Sequence, residues 1–468
     1  MPEQGSRARL NVRWPTVGVG FLVALPAILF YSILFSRLIN IPFADDYLET
    51  LRFSNQIKVL HGTKSILSFL FSFQYNEYKL LFENAIFAVQ VLVFKSINFR
   101  VLSALGDLFV LFLALLLWKM FFPQEGSTIR RLIYFVPVTW FVFQMQYVET
   151  LNWSMASLQN LPVIFFSLTT IYLLVTETGR GYLFAAICLV LSICSSGNGF
   201  VMIPLGVLIL VNQRRRGRLI IWACTSLICI AAYFYRYNFN AKFQAEPSLF
   251  KRVAHINPLF IFIFLGNAIN MPIKQISLSH ADFHSLEFLA ILSPVLGAVL
   301  CIFWVNKIRK GYLRKNPLIA YCVLFVLITA IGAAGIRSGM SVWEATSSRY
   351  GIYSALLLIF TWFTFSEEFL LRRNQGIGGR RWLLIGVIAM AMCYGVITDA
   401  FGCHYLTARN RELVRGMVAY QEPNAANSGM GPVVPLKKEA KWHVTLREEA
   451  PSILEASKRL GVYTPRRF

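Results

Sequence analysis

A chain of 468 residues that is 56% hydrophobic, with mean hydropathy +0.56, is not a soluble globule. Its apolar runs are continuous rather than alternating, which excludes a β-barrel and indicates an all-α polytopic membrane protein. The 45 Lys and Arg outnumber the 23 Asp and Glu to give a formal charge of +22, so an anionic partner is expected: headgroups or a phosphorylated lipid, but not nucleic acid, since the cations lie between apolar runs rather than on one face.

The basic N-terminus, MPEQGSRARLNVRW, precedes an uncharged run from Val17 to Phe35, about the ~20 residues of a bilayer crossing. No small-residue cleavage site follows, so an uncleaved signal-anchor helix is expected. Just beyond it stands PFADDYLET, with Asp45 and Asp46 adjacent. Two neighbouring carboxylates close to lipid repel each other and lose hydration. Such a pair serves as a base, holds a metal or cationic partner, or caps the helix that follows.

About thirty residues later comes SFQYNEYKLLFEN. Asn76 is a plausible N-cap, and Lys79 and Glu83 have the spacing of an i,i+4 pair. Glu77, facing the Asp pair, would complete a hard-metal site with Asp46 for a divalent cation such as Mg or Mn. Asp107 is an intramembrane acid, either functional or neutral and hydrogen-bonded within the bundle. YVETLNWSMASLQN offers Asn152 and Trp153, which suit a sugar through hydrogen bonds and ring stacking or anchor the chain at the interface. In GIRSGMSVWEATSSRYGIYS, Arg337 and Arg349 bracket one short loop. Either they snorkel to headgroups or they bind a membrane-surface phosphate through paired hydrogen bonds.

Lys and Arg concentrate in cytoplasmic loops. Placing the six basic segments on one side calls for about eleven crossings, near 17–36, 101–122, 132–149, 160–176, 182–197, 198–212, 219–236, 286–306, 317–336, 350–368 and 382–400. The N-terminus is then inside and the tail outside. Residues 80–97 and 256–272 cannot also cross and are expected along the outer face or re-entrant. Residues 1–400 form the membrane domain, with a first outer loop over 37–100, and 401–468 form a small outer-face tail. The cysteines lie mostly in apolar stretches without metal-type spacing, and no phosphate-binding glycine loop occurs.

Asp45, Asp46 and Tyr47, then Asn76, Glu77, Tyr78 and Lys79, then Ser348, Arg349 and Tyr350, resemble the motifs of bacterial GT-C integral-membrane glycosyltransferases that modify O-antigen and other surface polysaccharides. Tyr78 and Lys79 depart from the family's His and Arg. The resemblance implies a GT-C-like fold in the bacterial cytoplasmic membrane. It further implies a polyprenyl-phosphate-sugar donor and a glycan, glycolipid or protein acceptor. Asp45 or Asp46 would be the base, and Arg349, Arg337 and Lys79 would hold the donor phosphate. Tyr47, Glu77, Asn152, Trp153 and Tyr350 would contact substrate. The alternatives are a polysaccharide polymerase or ligase, a transporter of lipid-linked saccharides, and a scaffold protein. The short loop between Arg337 and Arg349 disfavours the polymerase, and spans clean at their centres disfavour the transporter.

Overall fold

The computed structural model describes residues 14–121, 128–176, 179–239, 256–270, 284–337, 341–371, 377–421 and 441–465. Among these the regular structure is helical, and the only β pairing is an isolated bridge between Tyr75 and Tyr78. In chain order, α1 (Trp14–Ser36) leads to a 3-10 turn (Ala44–Asp46) and a π turn (Tyr47–Leu51). There follow α2 (Arg52–Val59), α3 (Thr63–Ser72), α4 (Leu81–Phe94), α5 (Phe99–Met120), α6 (Thr128–Val142) and α7 (Ser154–Thr176). The chain continues through α8 (Arg180–Ser195), α9 (Met202–Asn212), α10 (Arg216–Phe234), α11 (Pro258–Leu265), α12 (His284–Arg309) and α13 (Tyr312–Lys315). It ends with α14 (Pro317–Arg337), α15 (Ser348–Leu371), α16 (Ile377–Gln421) and α17 (Lys441–Arg459).

Seven described helices are long and apolar enough to cross a membrane: those at 16–36, 99–120, 154–176, 216–234, 292–309, 317–337 and 381–421. The chain is thus a polytopic helical membrane protein. The crossings expected at 132–149, 182–197, 198–212 and 350–368 fall on α6, α8, α9 and α15, outside that set. Three of these helices are short, with 15, 16 and 11 residues.

The two segments expected not to cross are short helices. Helix α4 has 14 residues. At 1.5 Å per residue that is about 21 Å, against a hydrocarbon core of about 30 Å. One face buries Phe87 and Val91 while Val89, Val93 and Phe94 are exposed. Helix α11 has 8 residues and buries Phe260, Ile263, Phe264 and Leu265, while Leu259 is exposed. Non-spanning backbone is tolerated at depth only when protein surrounds it.

The core divides in two. One cluster runs through the bundle and includes Trp140, Ile164, Trp222, Trp304 and Phe360. The other joins the segment 37–100 to the C-terminal part, through Tyr47, Leu51, Phe87, Met417, Leu454 and Tyr463.

One expectation about the tail changes. Helix α16 is 45 residues long and continues unbroken past residue 400, so a boundary at 400/401 cuts through one helix. Within that tail, α17 begins at Lys441 and contains Pro451. The tail's EPNAANSGMGPVVP lies outside the described residues, as do 240–255, 271–283 and parts of several basic segments. Helix α17 grips the first loop through an Arg52–Glu449 ion pair and a bond from Asn55 Nδ2 to the Ile453 carbonyl. Just beyond it, the Ile97 N–H donates to the Val462 carbonyl (2.7 Å) and the Tyr463 hydroxyl to the Asn40 carbonyl (2.7 Å).

Candidate functional site

The acidic motif lies in a strained piece of chain. Ala44 has φ +49°, a left-handed value unusual for a residue with a Cβ, and the 3-10 turn runs directly into the rare π turn. This bend turns the two carboxylates to different surroundings. Asp46 is 1% exposed. Its Oδ1 accepts from Ser154 Oγ (2.5 Å), the Met155 N–H (3.1 Å) and Thr50 Oγ1 (3.4 Å), and its Oδ2 from the Phe43 N–H (3.0 Å). Asp46 therefore fastens the start of α7, where N–H groups lack helical partners. Burial raises its pKa to about 6, opposed by the bonds from Ser154, Phe43 and Met155.

Asp45 is partly exposed, and its Oδ1 accepts a 2.7 Å bond from the Tyr75 hydroxyl. Tyr75 opens a tight turn in which its backbone exchanges hydrogen bonds with Tyr78 (3.0 and 2.9 Å). Asn76 sits in this turn at φ +53°. It is not the N-cap of α4, whose cap position is Leu80. Asn tolerates the left-handed region, so the residue type suits either place.

Across the turn, the Tyr78 hydroxyl accepts from Arg337 Nη2, and Glu77 pairs with the same guanidinium at 3.4 Å. Burial raises the Tyr78 pKa to about 12, while the positive charges of Arg337 and Arg349 oppose the rise. Arg349 stands in the first turn of α15, its guanidinium 5.4 Å from the Tyr350 ring centroid. Its Nε is buried without a hydrogen-bond partner. The start of α15 is fixed from several sides. The Glu149 N–H donates to Ser348 Oγ (3.1 Å), Asn267 Nδ2 to the Ser347 carbonyl (3.1 Å), and Tyr350 packs on Phe264 (4.8 Å). A Cβ on Gly351 would lie 2.8 Å from Gln146 Cδ, so any larger residue there must displace the Gln146 amide.

The Tyr75–Tyr78 turn thus links Asp45 to Arg337 by hydrogen bonds, and the charge of Arg349 also bears on Tyr78. A carboxylate on one side and two guanidiniums on the other give the chemistry of proton acceptance and anion binding.

Other residues singled out in the sequence have different surroundings. Lys79 precedes α4 rather than lying on it, so it makes no i,i+4 pair with Glu83. It is buried, and its Nζ donates to the Phe71 carbonyl (2.9 Å) and to that of Tyr235. Burial lowers its pKa. Asn152, at φ +54°, joins the bundle: its N–H donates to Asp107 Oδ2 (3.3 Å) and its carbonyl accepts from Arg409 (3.2 Å). Trp153 packs edge-on against Phe43 at 5.1 Å, behind Asp46. Tyr47 is buried, and its hydroxyl pKa rises through burial. Asp46 and Glu77 are engaged with different partners. Among the described residues no three His, Cys, Asp or Glu side chains are grouped so as to hold a metal ion.

Sequence reasoning missed Glu49 and Arg409, and it gave Glu83 only a pairing with Lys79 that is not made. Glu49 and Glu83 are both 0% exposed, and burial pushes both pKa values well above the usual carboxylate range. Arg409, also buried, reaches from α16 over the Phe43 ring (5.0 Å) to the carbonyls of Leu151 and Asn152. The available signals were the third acid of DDYLET and the first arginine of TARNREL, one turn beyond the apolar part of α16. Comparison of the chain with protein-family models, curated proteins and solved structures gives no match.

Proposed function

We propose that the protein transfers a sugar from a polyprenyl-phosphate-linked donor to a glycan, lipid or protein acceptor at the outer face of a bacterial cytoplasmic membrane, within a GT-C-like bundle of about eleven crossings. The supporting observation is Asp45: a partly exposed acid oriented by Tyr75, on a turn whose far side meets Arg337 and Arg349. Asp46 has its oxygens committed to four donors and serves as the anchor.

In this reading Asp45 takes the proton of the acceptor hydroxyl as that oxygen bonds to the anomeric carbon. The bond from that carbon to phosphate oxygen breaks, and the phosphate leaves with the electron pair. Arg349 and Arg337 balance the developing charge. Tyr78 and Glu77 hold Arg337 in place. The resemblance of the three short motifs to GT-C enzymes supports the same reading. Asp45→Asn in purified full-length protein, assayed with a synthetic prenyl-phosphate sugar, should cut transfer about 10²–10⁴-fold with folding intact. Full activity would overturn the assignment.

A second reading, transport of a lipid-linked saccharide, is favoured by buried acids within the bundle: Asp107 on α5 and Asp399 on α16. Uptake of lipid-linked saccharide into sealed vesicles, lost in Asp399→Asn and unaffected by Asp45→Asn, would establish it instead.

A further inference from the structure

Arg409 is a buried charge that bonds only neutral groups. It lies where α16 continues past its apolar run, and it is 5% exposed. Its Nη2 donates to the carbonyls of Leu151 (3.1 Å) and Asn152 (3.2 Å), while its Nε and Nη1 meet no acceptor. The guanidinium carbon stands 5.0 Å from the Phe43 ring centroid and 5.8 Å from that of Tyr405. A neutral donor would serve the two carbonyls without the cost of taking a charge out of water, so the hydrogen bonds alone do not account for an arginine here.

The groups it touches are the two arms that hold Asp46. On one side the Phe43 N–H donates to Asp46 Oδ2, and the Phe43 ring packs against both Arg409 and Trp153. On the other, the Leu151 and Asn152 carbonyls come just before Ser154 and Met155, whose Oγ and N–H donate to Asp46 Oδ1. One guanidinium therefore bears on both oxygens of Asp46 through the residues that bond them, without touching either. All four donors to Asp46 are neutral, so they orient the carboxylate but leave its charge unbalanced. Arg409 supplies that balance from one residue away: the acids whose charge reaches it are Asp107, Glu149 and Asp46. Asp107 is joined by the same route, since the Asn152 N–H donates to its Oδ2 (3.3 Å).

We propose that Arg409 is a positioning residue for Asp45. Its charge holds Asp46 as the anion that Phe43, Ser154 and Met155 bond, its contacts fix both arms, and the turn so fixed keeps Asp45 on the Tyr75 hydroxyl (2.7 Å). Arg409 acts through these residues and takes no part in binding the donor. The proposal rests on the reading of Asp45 as the base, whereas the hold on the turn is measurable without it.

The test uses the full-length chain in detergent, with two readouts: amide hydrogen exchange and transfer kinetics with a synthetic prenyl-phosphate sugar. Arg409→Gln keeps a neutral donor and removes the charge; Arg409→Lys keeps the charge. In Arg409→Gln the amides of Phe43 and Met155 should exchange at least ~10-fold faster, the scale of losing a hydrogen bond to a charged group, while those of α10 and α14 hold their wild-type rates. Its kcat should fall ~10–100-fold, the effect of a small misplacement of the base, with donor KM unchanged because Arg349 and Arg337 are untouched. Arg409→Lys should recover most of both losses. If Arg409→Gln fails to fold, Phe43→Leu, which keeps the N–H to Asp46 but removes the ring beneath the guanidinium, should loosen the same amides. Wild-type exchange at Phe43 and Met155 in the folded variant would overturn the proposal. Loosening spread evenly over the bundle, or equal loss in the Lys and Gln variants, would overturn it too, since either reduces Arg409 to packing. A wild type that transfers no sugar, with the two amides still loosened in Arg409→Gln, would instead remove the reading of Asp45 as base and leave the hold of Arg409 on the turn in place.

Discussion

Ser154 donates a 2.5 Å hydrogen bond to Asp46 across 108 residues of chain, joining the acidic turn to the first residue of α7. The bond is charge-assisted and buried, a class worth about 1.5–3 kcal/mol. Ser154→Ala should lower stability by about that amount, and Asp46→Asn by at least as much, because an amide NH₂ would face one of the four donors now directed at the carboxylate. Thermal unfolding of the two variants and of Asp45→Asn, followed in detergent by tryptophan fluorescence, provides the check. The two Asp46-centred changes should depress the transition, while Asp45→Asn should leave it nearly unchanged. Equal effects at Asp45 and Asp46 would remove the division of labour between them.

The same burial predicts a pH dependence. The Asp46 pKa is about 6 in the folded protein and 3.8 for an unperturbed side chain, so the folded state binds the proton more tightly. Its contribution is fully favourable below pH 3.8 and is lost as pH rises through about 6. At 1.36 kcal/mol per pH unit the full change is about 3 kcal/mol. Glu49 and Glu83 shift in the same direction. The melting temperature should therefore rise as pH falls from 7 to 5, and the rise should shrink in Glu83→Gln. A melting temperature that falls over this interval in wild type would contradict the buried acids.

The arginines predict a split between binding and turnover. Arg337 is held by Glu77 and Tyr78, whereas the Arg349 Nε has no partner. Arg349→Lys keeps the charge but loses the planar fork that binds phosphate through two bonds. It should reduce kcat/KM for a prenyl-phosphate sugar by about 10-fold or more, roughly 1.4 kcal/mol, with the fold unchanged. Tyr78→Phe frees Arg337 from one partner and should raise KM with little effect on kcat. Steady-state kinetics with donor varied distinguish the two patterns. An unaltered KM and kcat in Arg349→Lys would rule out phosphate binding at that position.

Hydropathy made the long helices legible, because lipid leaves a polar backbone no partner outside its own helix and so imposes continuous apolar runs. The distribution of basic loops set 80–97 and 256–272 apart from the crossings, and each of these segments contains a short helix. Local patterns failed where partners are distant in sequence. Asp45 and Asp46 are indistinguishable as neighbours, and their roles diverge only because one of them meets Ser154 and Met155. The Lys79–Glu83 spacing pointed to a helical pair, but α4 begins at Leu81 and Lys79 turns to the carbonyls of Phe71 and Tyr235. The boundary at 400 falls inside α16, because hydropathy marks where an apolar run ends while a helix can continue beyond it. Arg349 and Tyr350 were visible as a motif. The turn that connects them to Asp45 depends on an Asn at positive φ, which spacing does not reveal.

Gly351 supplies the most local test of how α15 is placed. In an ordinary helix Gly→Ala gains about 1 kcal/mol from propensity. Here the new Cβ would lie 2.8 Å from Gln146 Cδ and Oε1. Gln146 is buried, and its Nε2 donates a 2.6 Å bond to the Asn267 carbonyl. Moving the amide aside breaks that bond and strains its neighbours, a cost of about 1–3 kcal/mol that offsets or outweighs the propensity gain. Gly351→Ala should thus be neutral to destabilising, and it should raise the donor KM by shifting the first turn that carries Arg349. Adding Gln146→Ala removes the clash, so the double variant should recover the KM even though it lacks the Asn267 bond. A donor KM that stays high in the double variant would show that Gln146 does not set the position of Arg349.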